Sequence, residues 1–182
     1  LREVITLSTP KIGNGAFIGC VNLSGVIFDD LGEEIEYAVG ANAFANCGKN
    51  VGNFTMSYTD GEKIRAIGDR AFAGSAIKTF PIPAGLEVLG GDVFANTAVT
   101  TLVIDDNVDI ENLRIVGIPF KGMTLALAET NVDRYALENG VLYNAAKTKL
   151  LHVNPSVTEV VLPESVTEIG AYALAGGNVT KI

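Results

Sequence analysis

The sequence predicts a β-rich α/β solenoid, in which short parallel strands form one curved sheet opposite an irregular or briefly helical outer wall. Three observations support this prediction: a phrase that returns six times, a strand-like segment that follows most copies, and a distance of 22 to 28 residues between successive copies among the first five. Repetition with a period of roughly 20 to 50 residues is typical of solenoids, because each unit is too small to bury its own apolar face. We therefore expect a single domain over residues 1–182 with about six to seven stacked repeats.

The repeated phrase starts with an apolar residue and a glycine, and runs through Ala-Phe to a small residue three positions later. Its copies begin at Ile12, Val39, Ile67, Leu89, Ile115 and Ile169. The large side chain of the phrase is, in order, Phe17, Phe44, Phe72, Phe94, Phe120 and Leu174. We expect this column to fill the core between repeats. The copy at Ile115 lacks both Gly and Ala, so packing there should be less regular.

A strand-like segment follows most copies of the phrase and carries inward apolar residues three and then two positions apart. The triplets are Leu23–Val26–Phe28, Val51–Phe54–Met56, Ile77–Phe80–Ile82, Val99–Leu102–Ile104 and Val157–Val160–Leu162. The last two members alternate as a half-buried strand does, so each repeat supplies one short strand. Pro83 and Pro163 follow a triplet directly and end the strand, because proline cannot donate a ladder hydrogen bond.

The glycine of the phrase recurs at Gly13, Gly40, Gly68, Gly90 and Gly170. Two explanations fit it. Either the chain turns a corner that needs positive φ, or the backbones of neighbouring repeats approach too closely for a Cβ atom.

The two cysteines, Cys20 and Cys47, share the small-residue position of consecutive copies, where Ser75 and Thr97 stand in later ones. This equivalence favours a stacked, partly buried position over a disulfide. Stacking holds equivalent atoms about one strand spacing apart but does not guarantee disulfide geometry. The cysteines therefore do not indicate whether the protein works in an oxidising or a reducing compartment.

Charge and hydropathy narrow the function classes. The 13 basic and 21 acidic residues give a net charge of −8, spread along the chain, which argues against nucleic acid or anionic lipid as partner. No apolar run is long enough to cross a bilayer, so direct membrane insertion is not expected. The chain starts at Leu1 without a leader pattern, and we expect any signal or lipid anchor to have been removed.

Residues suited to chemistry are sparse. His152 is the only histidine and has no recognisable nucleophile beside it, so a packed or surface position is favoured over a general base. The acidic cluster at 105–109 lacks calcium-loop spacing and is better explained as a solvated turn. No zinc spacing or phosphate-binding loop occurs. We predict no catalytic, cofactor-binding or metal-binding residues.

The distance between phrases is 27, 28, 22 and 26 residues, and then doubles to 54 between Ile115 and Ile169. The long interval holds two apolar runs around a polar link, Glu138–Asn144 and Lys149–Pro155. This pattern predicts a β-hairpin insertion near 138–155 that replaces the outer wall of one repeat.

These residues resemble the BspA-like leucine-rich repeats, whose phrase is similar to "IGxxAFxxCxxLxxIxIPxxVxxIG". The match is close over Ile67–Gly90 and Val157–Ala173, and Asn139–Tyr143 with Lys149–Leu151 resembles the "NGVLY…KLL" element of the same proteins. The resemblance implies a curved leucine-rich-repeat solenoid of a bacterial surface protein, located extracellularly or at the cell surface. It also implies binding to a protein or glycan, as in adhesion, and no catalytic site.

The candidate binding surface is the residue between the two inward members of each strand, which points to the exposed face of the sheet. This column contains Ile27, Thr55, Pro81, Val103, Ala126 and Val161. It is apolar or weakly polar and uncharged. Two interpretations remain open: a strip that binds a host or bacterial surface protein or a glycan, or β-branched residues that simply suit strands.

The chain ends support an alternative function. Leu1 starts within a strand-like segment and Ile182 falls on a strand core position, so neither end carries a polar capping unit. We expect a fragment of a longer precursor, or self-association through uncovered ends. The alternative is therefore a structural spacer or self-assembly unit of a larger surface protein.

Overall fold

The computed structural model describes residues 3–29, 32, 36–60, 63–104, 107–128 and 133–182. Within these ranges the strands are β1 (Val4–Leu7), β2 (Lys11–Ile12), β3 (Gly25–Phe28), β4 (Tyr37–Val39), β5 (Thr55–Tyr58), β6 (Ile64–Ile67), β7 (Val88–Leu89), β8 (Thr101–Ile104), β9 (Arg114–Ile115), β10 (Thr124–Leu127), β11 (Tyr135–Glu138), β12 (Val141–Asn144), β13 (Lys149–Val153) and β14 (Glu168–Ile169). The chain forms a β-solenoid of about seven turns.

The segments that carry the apolar triplets form one parallel wall of the solenoid. Strands β1, β3 and β5 pair in that order, and β8 pairs with β10. Between these two groups, residues 79–82 form no strand, although an isolated parallel bridge joins Phe54 to Ile77. We call this wall the strand face.

The first residues of the repeated phrase form a second parallel sheet. Strands β2, β4, β6, β7 and β9 pair in chain order. The expectation of one curved sheet is therefore wrong. The residues at the start of each phrase pair with the equivalent residues of the next turn and form a sheet of their own. The α/β description also needs correction, since no α-helix occurs in the described residues and the Ala-Phe phrase forms a third wall of turns.

The region of the expected hairpin is a three-stranded antiparallel unit. Strand β12 pairs antiparallel with both β11 and β13. Strand β13 then pairs in parallel with β14, placing Leu150 beside Ile169. Gly170 N–H donates to Leu150 O at 2.7 Å, as Gly90 N–H donates to Ile67 O at 2.8 Å. The last strand of this unit thus occupies a place in the parallel stacking rather than lying outside it.

The aromatic column stacks ring on ring in the core. Phe17 and Phe44 have centroids 5.1 Å apart, Phe44 and Phe72 are 5.6 Å apart, and Phe72 and Phe94 are 6.1 Å apart, with interplanar angles of 6° to 8°. The order ends there, since within the described residues Phe94 and Phe120 make no ring contact. The expected loss of regularity at the Ile115 copy is confirmed.

The glycine of the phrase is required by close approach of the turns. A Cβ atom on Gly68 would lie 2.6 Å from Ala41 N, and one on Gly90 would lie 2.3 Å from Asp69 N. Positive φ occurs instead two residues after that glycine, as at Arg70 (55°) and Asp92 (51°). The second of the two explanations is therefore correct.

The cysteine position is a stacked one. Cys20 and Cys47 are both free thiols, and Cys47 Sγ donates a hydrogen bond to Phe17 O at 3.1 Å. Burial raises the pKa of Cys47 to about 12, so its thiol is not a nucleophile near neutral pH. The equivalent Ser75 Oγ is buried and has no hydrogen-bond partner among the described residues.

Candidate functional site

The strand face presents two adjacent columns of uncharged residues. The first consists of Thr55, Thr79, Thr101 and Thr124, each directly before an inward residue. The second, two positions further along the chain in each turn, consists of Ser57, Pro81, Val103 and Ala126. Thr101 pairs with Thr124, and Val103 pairs with Ala126, in a parallel register that aligns like with like.

The register corrects one part of the expected column. Ile27 pairs with Ser57, whereas Thr55 pairs with Gly25. The reason is that Met56 and Tyr58, rather than Phe54 and Met56, stand opposite Val26 and Phe28. The expected inward Val51 is 42% exposed. A shift of two residues keeps each side chain on the same face, so Thr55 still points outward but in the neighbouring column.

The threonine column was not predicted. Its signal in the sequence is the threonine immediately before Phe80, Leu102 and Leu125, one position away from the column that we chose. The incorrect triplet at Val51 aligned Thr55 with Ile27 in the other column, so the recurrence of threonine before each inward residue was not recognised.

Pro81 lies where the parallel pairing of the strand face is interrupted. Proline cannot donate a ladder bond, and no backbone hydrogen bond joins residues 79–82 to β5 or β8 in the described chain. A shallow depression forms there, lined by Thr55, Thr79, Thr101, Pro81 and Val103, together with Met56 and Phe80. Three hydroxyl-bearing side chains therefore surround an apolar floor without a charged neighbour in the lining.

Val161 does not join the rest of the column. The Asn154 side chain closes the far edge of β10, with Oδ1 accepting from Leu125 N at 2.8 Å and Nδ2 donating to Leu125 O at 3.1 Å. Val161 is 82% exposed, and in the described chain its segment pairs with the last turn, through a bridge between Glu159 and Lys181, and not with β10. The structure thus groups Thr55, Pro81, Val103 and Ala126 with Ile27 on one wall, and leaves Val161 apart.

His152 is a core residue. It is 4% exposed, its Nε2 lies 3.0 Å from Met123 O, and its ring meets Phe120 edge-on with centroids 6.0 Å apart. Burial lowers its pKa, so the ring is neutral near pH 7 and Nε2 acts as the hydrogen-bond donor.

The acidic cluster is only partly described, because Asp105 and Asp106 lie outside the described residues. Asp109 forms an ion pair with Arg134 at 2.9 Å and accepts a hydrogen bond from Asn112 N at 3.1 Å. These bonds are those of a structured turn. Over the described ranges, no group of three or more His, Cys, Asp or Glu is placed to hold a metal ion. Nor does any helix among them have the length and apolarity to span a membrane.

Comparisons with known proteins agree with this geometry. The family model for the BspA-type leucine-rich repeat region, in six copies, matches residues 3–114. It describes a repeat fold, and no catalytic family is indicated. Among curated proteins, no sequence matches.

A solved bacterial structure shows the same fold. A leucine-rich repeat protein from Eubacterium ventriosum superposes with a TM-score of 0.63 at 24% identity over 94% of this chain and 46% of its own. A leucine-rich cell surface protein from Faecalibacterium prausnitzii gives a TM-score of 0.48 at 18% identity, with 100% of this chain and 56% of its own covered. The pneumococcal vaccine antigen PcpA gives 0.48 at 19% identity, with 83% and 42% covered. The chain spans about half the length of these proteins.

Proposed function

This chain belongs to the BspA-type leucine-rich repeat family, and from that premise we propose that it is a non-catalytic binding module, secreted or displayed at the cell surface. Its ligand is a protein or glycan, engaged in an adhesion-type interaction through the strand face. The resemblance to repeat proteins of bacterial surfaces supports the extracellular location. It fits a chain whose acidic surface disfavours intracellular polyanions.

The observation that carries the proposal is the uncharged surface of the strand face. The protein has a net charge of −8, yet the two columns around Thr101 and Val103 contain only hydroxyl and apolar side chains. Val103 is 54% exposed, and Pro81 beside it is also exposed. A solvent-facing surface of this composition is more typical of contact with a macromolecule than of a surface selected for solubility alone.

The depression at Pro81 makes this surface concave at one point. A flat parallel ladder offers only side-chain tips, whereas the interrupted pairing lets a ligand group enter between Thr55 and Thr101. Hydroxyl groups there donate and accept hydrogen bonds, and Val103 and Pro81 offer apolar contact. The proposal therefore places the centre of the footprint at this depression, with Ile27, Ala126 and the other column members around it.

The test is a binding screen of the purified chain against extracellular-matrix proteins and a glycan array. Val103→Asp places a charge at the centre of the footprint and is expected to abolish binding. Val51→Asp is the matched control, because Val51 is similarly exposed, at 42%, but lies in a turn away from the strand face. Val161→Asp, tested separately, measures whether the footprint reaches the last turn. Equal loss with Val103→Asp and Val51→Asp, both folded, would contradict the proposal.

The alternative function is a structural spacer or self-assembly unit. Apolar side chains are exposed in the outermost turns, with Val4 at 46% and Ile18 at 56% on one side and Ile169 at 47% and Ile182 at 59% on the other. Stacking of one copy on another would cover them. Light scattering that shows a concentration-dependent rise in mass, together with an empty ligand screen, would favour this function over the binding module.

A further inference from the structure

We propose that a cleft in the wall of turns binds a single neutral sugar residue. The cleft lies between the turn that begins at Leu89 and the turn that begins at Ile115, with Gly176 of the last turn also in its lining, and has a volume of about 480 Å³. It is on a different wall from the depression at Pro81, and so does not depend on the strand face being a binding surface.

The cleft arises because the turn that begins at Ile115 does not pack against its neighbour through the phrase glycine, as the preceding turns do. Val116 stands where the other turns have glycine, and Gly117 takes the contact instead, so that a Cβ on it would lie 2.9 Å from Gly91 Cα. The pairing slips by one residue. In the preceding turn, Arg70 N–H donates to Gly91 O at 2.9 Å, the carbonyl directly after the phrase glycine Gly90. The equivalent Asp92 N–H donates to Ile118 O at 3.4 Å, two residues after Val116 and not one.

The slip leaves backbone groups without partners. Phe72 N–H and Gly74 N–H each donate to the next turn, at 3.1 and 2.7 Å. Their equivalents, the amides of Phe94 and Asn96, have no hydrogen-bond partner in the part of the chain that the structure describes. Across the cleft, the carbonyl oxygen of Pro119 is equally without a donor there. Such groups are normally paired, with water or a ligand if not with protein.

The lining combines donors, acceptors and an apolar floor. Lys121 and Asp92 stand at the cleft without ion pairs among the described residues. Buried Val99 and Met123 form part of the floor, and the Thr100 hydroxyl lies at the rim. An anion would face the Asp92 carboxylate and a cation would face the Lys121 ammonium. A neutral polyol matches both, because each hydroxyl donates and accepts while one face of a sugar ring is apolar.

The size of the occupant follows from how the cleft is closed. The turns are joined at one end by Asp92 N–H to Ile118 O and at the other by Thr124 N–H to Thr100 O at 2.9 Å. An extended peptide running between the turns would have to break one of these bonds. A single ring, entering from the side, breaks neither.

The test is an amide NMR titration of the whole chain with the methyl glycosides of glucose, galactose, mannose and N-acetylglucosamine. We expect saturable shifts at Phe94 and Asn96 with at least one of them. Asp92→Asn removes an acceptor charge at a position where Asn42 shows that asparagine adopts the same positive φ, and should weaken binding about tenfold. Val103→Asp, on the strand face, should leave the titration unchanged.

A bulky substitution controls for location. Thr100→Trp fills the rim of the cleft and should abolish the shifts. Lys78→Trp is the matched control, because Lys78 is the equivalent exposed residue of the preceding turn and should leave them intact. The proposal is overturned if none of the four glycosides gives saturable shifts up to about 100 mM, or if binding survives in a folded Thr100→Trp protein. The first of these outcomes would mean that the cleft holds water alone.

Discussion

Replacing the phrase glycine by alanine should have opposite effects in different turns. A Cβ on Gly68 would lie 2.6 Å from Ala41 N and 2.9 Å from Gly40 C, both backbone atoms. That backbone is held by the ladder, where Gly68 N–H donates to Val39 O at 2.8 Å. A Cβ on Gly13, in the first turn, would meet no atom of the described residues within 4 Å. Neither glycine has positive φ, so backbone strain does not enter.

The magnitudes follow from these distances. Overpacking against a fixed backbone costs about 1–3 kcal/mol, and the loss of unfolded-state freedom on changing Gly to Ala returns about 0.4–1 kcal/mol. Gly68→Ala should therefore destabilise the protein by about 1–2 kcal/mol, whereas Gly13→Ala should stabilise it by about 0.4–1 kcal/mol. For a chain of this length, each kcal/mol corresponds to about 2–4 °C in Tm.

The assay is urea unfolding followed by far-UV circular dichroism, since the chain has no tryptophan to report by fluorescence. Thermal melts of the same two variants provide an independent order of stability. Equal effects of the two substitutions, or a neutral Gly68→Ala, would refute the close-approach argument and return the glycine to a role in turn conformation.

Four further outcomes are expected. Phe72→Ala should reduce the free energy of unfolding by about 3–5 kcal/mol in urea melts, and the half-buried Phe17→Ala by clearly less, because Phe72 is fully buried between two stacked rings. Ser75→Ala should raise that free energy by about 1 kcal/mol in the same assay, because its buried hydroxyl has no hydrogen-bond partner within the described ranges; a loss would show that a partner exists. Arg70→Gly should raise Tm slightly, because it relieves a φ of 55°, and a lower Tm would count against that strain. Because burial holds the pKa of His152 below its ordinary 6.5, the native state binds fewer protons, and stability should fall as pH drops from 7 to 5; His152→Gln should flatten that slope, as measured by urea midpoints across pH.

Much of the solenoid follows from periodicity alone. The phrases place Phe17, Phe44 and Phe72 at equivalent positions, and a column of large apolar residues can be buried only by stacking. The break at Ile115 was also predictable, because losing a glycine and an alanine removes the small residues that permit close approach. The extent of the opening depends on the one-residue slip to Ile118, which no local pattern encodes.

The errors come from features that depend on register. The second sheet uses strands as short as Lys11–Ile12, which are too brief to show alternation. The inward triplet that starts at Val51 was assigned wrongly because the connection between Phe44 and β5 is longer than the equivalent connection between Phe17 and β3. A spacing of three and then two residues fits more than one alignment of these two segments. On the candidate site, the sequence aligned Val103 with Ala126 correctly but could not show that the next group bonded to β10 is the Asn154 side chain and not the segment that carries Val161.

The bonds between Leu125 and Asn154 have a consequence for how such a chain can evolve. A carboxamide presents one donor and one acceptor in the same spacing as a peptide group, so Asn154 ends the sheet as a further strand would. Gene duplication that inserts whole units upstream of Thr124 preserves this termination. An insertion between Thr124 and Asn154 displaces it and leaves the backbone of β10 open to another chain. Unit number in this lineage should therefore stay constant between Thr124 and Asn154 and vary outside that interval.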